Sequence, residues 1–135
     1  MKKFLICLFF LLLNNHSISA EFSLNKIATF DQPWGSSFIT KNIIILTEKS
    51  GKIKLIDIEN NIISNIEHNL KILEDGQGGL LDILYKDDFI YVSYSENRGQ
   101  GKTSTSIAKG KFDKKKIIFN NLFRAEPPIK SGYHF

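Results

Sequence analysis

The sequence is short of the residues on which simple functional readings rest: among 135 residues it has one cysteine, one methionine, one tryptophan, three prolines and three histidines. The single thiol, Cys7, sits in an apolar run without the small residues that usually precede a lipid-modified cysteine. Beyond the first twenty residues no thiol remains, so disulfides, thiolate metal sites and cysteine nucleophiles are excluded there and stability must come from packing. No cluster of histidines and carboxylates has metal-ligand spacing, and no Gly-x-Ser-x-Gly nucleophile elbow is present. Gly101-Lys102-Thr103 mimics the end of a phosphate-binding loop, but Glu96 stands where that loop needs its first glycine. The charge balance is weak as well. The formal net charge of +4 includes Lys2 and Lys3, and the run Lys114-Lys115-Lys116 has no interleaved aromatic or arginine, so it reads as a solvated turn and not as a nucleic-acid patch.

What is present begins with an export signal. Met1-Lys2-Lys3 supplies positive charge, Phe4 to Leu13 is unbroken apolar sequence, and a polar stretch ends in Ile18-Ser19-Ala20. That is the anatomy of a secretory signal peptide over residues 1–20, cleaved after Ala20, which directs the protein to the periplasm. The apolar run is about half the roughly twenty residues a membrane-spanning helix needs, so no stable membrane span is expected after cleavage.

The remaining residues, 21–135, read as all-β. Isoleucine, phenylalanine and tyrosine occur in short runs broken by Gly, Asn, Asp and Lys, and no helical period persists over a long window. Strand-like runs fall at 36–40, 42–48, 52–55 and 61–66, then again at 80–85, 89–95, 103–112 and 117–124. Corresponding runs lie about 45 residues apart, the period of four-stranded propeller blades. Two blades cannot close a ring, because propellers typically need at least about four. The chain is therefore expected to be the N-terminal part of a longer propeller, truncated after Phe135, and to expose large apolar faces. Trp34 reads as a core aromatic at the start of the first blade, and Glu48 as a carboxylate that caps turn amides.

The densest local feature is Asp75-Gly76-Gln77-Gly78-Gly79-Leu80-Leu81-Asp82, with glycine at three of four successive positions. Such glycines serve either a tight connection between blades or a close approach of backbone to a ligand. In the second case Gln77 lines a pocket, its amide both donating and accepting hydrogen bonds. His134 is the other candidate, since a neutral imidazole can take a proton from a hydroxyl. His68 falls in a polar turn and His16 in the export segment.

Taken in order, Pro33-Trp34-Gly35, Leu46-Thr47-Glu48-Lys49 with Gly51, the Gly-Gln-Gly-Gly-Leu-Leu segment, Tyr91-Val92-Ser93-Tyr94, Phe123-Arg124 and His134-Phe135 resemble the opening of the soluble aldose sugar dehydrogenases. These belong to the glucose/sorbosone dehydrogenase family of pyrroloquinoline quinone (PQQ) enzymes. The resemblance implies a six-bladed β-propeller, of which this chain supplies about the first two blades, with PQQ and Ca2+ at the top of the central channel. It implies oxidation of an aldose to its lactone, His134 acting as general base while hydride passes to the quinone, and Gln77 lining the quinone and substrate pocket. Calcium ligands and the basic residues that hold the quinone carboxylates fall, by the same resemblance, beyond Phe135, so no metal ligand is assigned. Tyr133 stands where the glucose-oxidising branch carries an acidic residue, which favours comparison with the aldose branch. The implied partner is a small-molecule sugar; the electron acceptor is not specified. A non-catalytic exported propeller that binds a glycan or protein is the alternative.

Overall fold

The computed structural model describes residues 22–133. The export segment and His134 lie outside the described residues. Nine strands are formed: β1 (Pro33–Thr40), β2 (Ile43–Glu48), β3 (Ile53–Asp57), β4 (Ile62–His68), β5 (Leu80–Lys86), β6 (Phe89–Asn97), β7 (Thr103–Lys111), β8 (Lys116–Ile117) and β9 (Phe119–Arg124). They build one sheet of order β1-β2-β3-β4-β8 and a second of order β5-β6-β7-β9. No helix is present among the described residues.

Local chemistry sets each reversal. Between β1 and β2 the Thr40 hydroxyl accepts the amides of Asn42 and Ile43. Between β3 and β4, Asp57 accepts both the backbone and side-chain N–H of Asn60, at 3.0 and 2.9 Å, and Asn61 takes a left-handed conformation. Asp87 and Asp88 both have positive φ in the two-residue turn joining β5 to β6, the backbone a tight hairpin demands. After β7, Asp113 receives the amides of Lys115 and Lys116.

The two sheets pack face to face. Ile45, Ile53, Leu55 and Ile66 of the first meet Leu80, Ile83, Ile90, Val92, Tyr94 and Ala108 of the second in one core. Each Ile, Leu or Val among them contributes about 1.5–3 kcal/mol when fully buried, so the interface between the sheets is also the main source of stability. Polar bonds set its register. The Thr47 hydroxyl donates to the Leu81 carbonyl at 2.6 Å, and the Tyr85 amide donates to the Ser37 hydroxyl at 3.0 Å. These bonds place β5 against β1 and β2.

Two sequence expectations are corrected. The run 117–124 is not one strand of the second group, because Lys116 and Ile117 pair in parallel with Glu67 and His68 of the first sheet, and only Phe119–Arg124 pairs with β7. Asn69 fixes the break, its side-chain amide donating to the Phe119 carbonyl and its oxygen accepting the Phe119 amide. Trp34 is not core: it is 53% exposed, and Phe38 of the same strand is 62% exposed. Alternation along β1 turns Gly35, Ser37 and Ile39 inward and leaves Trp34, Ser36 and Phe38 on the opposite face.

Candidate active site

Antiparallel strands alternate direction, so the connections β2–β3, β4–β5 and β6–β7 and the chain leaving β9 all collect at one end of the sheets. The glycine-dense loop lies there. Gly78 donates to the Asp75 carbonyl at 2.7 Å, closing a tight turn, and Gly76 has φ +54°. The Lys49 ammonium, from the β2–β3 turn, donates to the Gly76 carbonyl at 2.6 Å, and the Leu80 amide returns a bond to the Lys49 carbonyl at 2.9 Å. On the other side Leu73 and Ser95 bond to each other, the Leu73 amide to the Ser95 carbonyl and the Ser95 hydroxyl to the Leu73 carbonyl. The loop is therefore held from both flanks before it enters β5.

Gln77 sits at its tip. The Gln77 amide donates to the Gly132 carbonyl at 2.6 Å, while its side chain is exposed and makes no hydrogen bond among the described residues. Gly132 precedes His134 by two positions in sequence. The chain reaches Gly132 by crossing the end of the second sheet from its outermost strand to its innermost. It is tethered on the way by Arg98, whose guanidinium bonds Glu126 at 2.5 Å, and by Thr103 and Ile129, which exchange two backbone hydrogen bonds. Gln77 and the segment that leads to His134, far apart in sequence, are thus brought together; where the imidazole lies is outside the described residues.

His68 has a structural task. Its Nδ1 accepts the Leu70 amide, so its protonated Nε2 donates to the Gly51 carbonyl at 2.6 Å. Glu48 is 3% exposed and accepts the Asp31 amide at 3.1 Å, with the Lys52 and Lys54 ammonium groups 3.7 and 3.8 Å away. It fastens the segment before β1 and does not cap the turn that follows it; its second oxygen, Oε2, is buried without a hydrogen-bond partner among the described residues.

Sequence reasoning missed a second polar cluster. The Glu96 carboxylate is buried and accepts the Ser106 hydroxyl at 2.7 Å, the Asn121 amide at 3.1 Å and Arg124 Nε at 2.9 Å. Tyr94 donates its hydroxyl to Asn121, and burial pushes that phenol's pKa up. Arg98 lies beside them, its guanidinium held charged above its ordinary range by the Glu126 hydrogen bond. Tyr94, Glu96, Arg98, Asn121 and Arg124 wall a cleft of about 970 Å3 together with residues 69–72. The signal was a carboxylate at the inward parity of the run Ile90, Val92, Tyr94, Glu96. Because its members satisfy one another, the cluster is a brace between β6, β7 and β9.

Among the described residues no group of three His, Cys, Asp or Glu side chains converges as a metal site would. The glycines of the β4–β5 loop, by contrast, face the protein itself: a Cβ at Gly76 would meet the Gly132 carbonyl and one at Gly79 the Lys49 carbonyl, so the close approach they permit is between segments of the chain.

The comparisons with known proteins agree with this architecture. Residues 30–135 match the family model described as Glucose / Sorbosone dehydrogenase. The aldose sugar dehydrogenase of Escherichia coli (strain K12) is 30% identical over 114 residues, which span 78% of this chain and 31% of that protein. A solved glucose dehydrogenase superposes with a TM-score of 0.71 at 26% identity, over 78% of this chain and 33% of that one. The PQQ-bound form of an aldose sugar dehydrogenase from Streptomyces coelicolor superposes with a TM-score of 0.66 at 17% identity, over 77% of this chain and 34% of that one, a likeness of fold. This chain thus spans about a third of the length of the proteins it matches. The two sheets are β-propeller blades, and the chain belongs to the glucose/sorbosone dehydrogenase family.

Proposed function

We propose that residues 21–135 are the first two blades of a periplasmic PQQ-dependent aldose dehydrogenase, delivered by a signal peptide at residues 1–20. The observation that carries the reading is the 2.6 Å hydrogen bond from the Gln77 backbone amide to the Gly132 carbonyl, which holds Gln77 beside the segment leading to His134. In this reading His134, as a neutral imidazole, takes the proton of the sugar's anomeric hydroxyl as the carbonyl of the lactone forms. Gln77 orients the reactants through its amide, donating to an oxygen and accepting from a hydroxyl. PQQ, when bound, supplies the acceptor for the hydride of the anomeric carbon. Family membership and the PQQ-bound structural neighbour support that choice of cofactor. Among the described residues no group of three His, Cys, Asp or Glu side chains converges, so no calcium ligand is assigned to them and no step is routed through the ion.

The test is sugar-dependent dye reduction by the full-length protein after reconstitution with PQQ and calcium. His134→Ala is expected to lower kcat by about 10²–10⁴-fold, the usual contribution of a positioned base. Unchanged turnover in that variant removes His134 from the role. A folded protein that binds glycans and never reduces dye is the non-catalytic alternative.

A further inference from the structure

We infer that the cleft between the second blade and the segment joining β4 to β5 is a binding site for a small hydroxycarboxylate. The cleft, of about 970 Å3, shares no residue with the glycine-dense loop, so the inference stands apart from the proposed dehydrogenase function. One wall is the connecting segment, pinned to the second sheet at three successive points. Asn69 brackets Phe119, the Lys71 carbonyl accepts the Asn97 amide at 2.8 Å, and the Leu73 amide donates to the Ser95 carbonyl at 3.0 Å. The other wall is fixed from beneath by the buried Glu96, whose Oε2 holds Arg124 Nε at 2.9 Å. A ligand would enter a site already ordered, which lowers the entropy lost on binding.

The donors left over by this brace select the ligand. With Nε bound, the guanidinium plane of Arg124 is set, while its two terminal nitrogens make no hydrogen bond among the described residues and the side chain is half exposed. Such a fork matches the two oxygens of a carboxylate. Lys71 lines the same cleft and has no ion-pair partner among the described residues. Lys71, Arg98 and Arg124 are opposed by Glu96 and, through Arg98, by Glu126, which leaves one positive charge uncompensated. That is the complement of a monoanion, and the charge of about −1.5 to −2 on a phosphate monoester exceeds it. Hydroxyl recognition falls to two asparagines. Asn97 uses its oxygen on the Gly99 amide at 2.9 Å and keeps its NH2 to donate, and Asn120, exposed at the cleft, can donate and accept.

The test is calorimetric titration of the full-length protein with gluconate, beside sorbitol, which keeps the hydroxyls without the carboxylate, and inorganic phosphate, which keeps charge without the hydroxyl chain. Gluconate is expected to bind at least about tenfold more tightly than either, as a charged hydrogen-bond partner allows. Arg124→Lys, which keeps the charge and loses the fork, is expected to weaken gluconate by about 10–100-fold. Lys71→Glu alters an exposed side chain outside the brace, keeps the experiment decisive if Arg124→Lys does not fold, and is expected to weaken gluconate by about 5–10-fold. No gluconate binding by folded wild type, equal or tighter binding of sorbitol or phosphate, or wild-type gluconate affinity in either folded variant overturns the site.

Discussion

His68 and Ile117 face each other in a two-rung parallel ladder, by which the connection between β7 and β9 of the second blade grips the outer edge of the first. Ile117 is fully buried in the shared core. Ile117→Ala is expected to cost about 2–5 kcal/mol and to destabilise both blades together. Chemical denaturation checks this: a single transition moved to lower denaturant supports a joint unit, whereas loss of only one blade's signal contradicts it.

Glu96 receives three donors from two neighbouring strands. Removing it in Glu96→Ala leaves Ser106 and Asn121 short of an acceptor and is expected to cost about 2 kcal/mol, while Glu96→Gln is expected to cost less. The Arg124 partner is half exposed, so salt should change the difference little. Thermal melting at low and high ionic strength separates the two contributions.

Acid should loosen the turns before the core. Backbone bonds from Lys116 and Lys115 hold the Asp113 carboxyl below its ordinary value of 3.8, and Asn60 does the same for Asp57 through its side chain and then its backbone. A pKa lowered by folding means stabilisation that is present above the ordinary value and disappears as pH falls through the folded one. The melting difference between wild type and Asp113→Ala is therefore expected to be constant above about pH 5 and to shrink below about pH 4. A difference that grows on acidification would refute the assignment.

The outer faces of the pair are apolar. Phe38 on the first blade and Leu84 on the second are 62% and 53% exposed. Residues 21–135 produced alone are expected to bind a hydrophobic dye and to associate, as exposed apolar patches do. Phe38→Asp with Leu84→Asp should reduce both effects without loss of the β-sheet circular dichroism signal, since neither side chain belongs to the core between the sheets.

Much of this architecture was legible in the sequence because it depends on short-range patterns. Period-two alternation located the strands, and Asn, Asp and Gly clusters located the turns. The partner of each edge was not legible. Lys116 looks like the end of a turn and Ile117 like the start of the next strand, and their joining the other sheet depends on partners far earlier in the chain, Glu67 bonding the Lys115 carbonyl and Asn69 bracketing Phe119. Trp34 failed for a related reason: its size marks it for burial, but strand parity assigns it to the face turned away from the second blade. Gln77 stands out in the sequence only through its neighbouring glycines, and the contact of its backbone amide with Gly132 was not legible, because a carbonyl gives no sign in the sequence of the distant amide it will accept.

The path of residues 125–133 over the second blade bears on how mutations in this protein would be scored. Changes that disturb the backbone at Thr103 or Ile129 would shift where residues 130–133 meet the glycine loop while leaving the strands paired, since the exchanged hydrogen bonds there hold the crossing. Sequence constraint would then spread outward along the crossing, to positions remote from the loop it reaches.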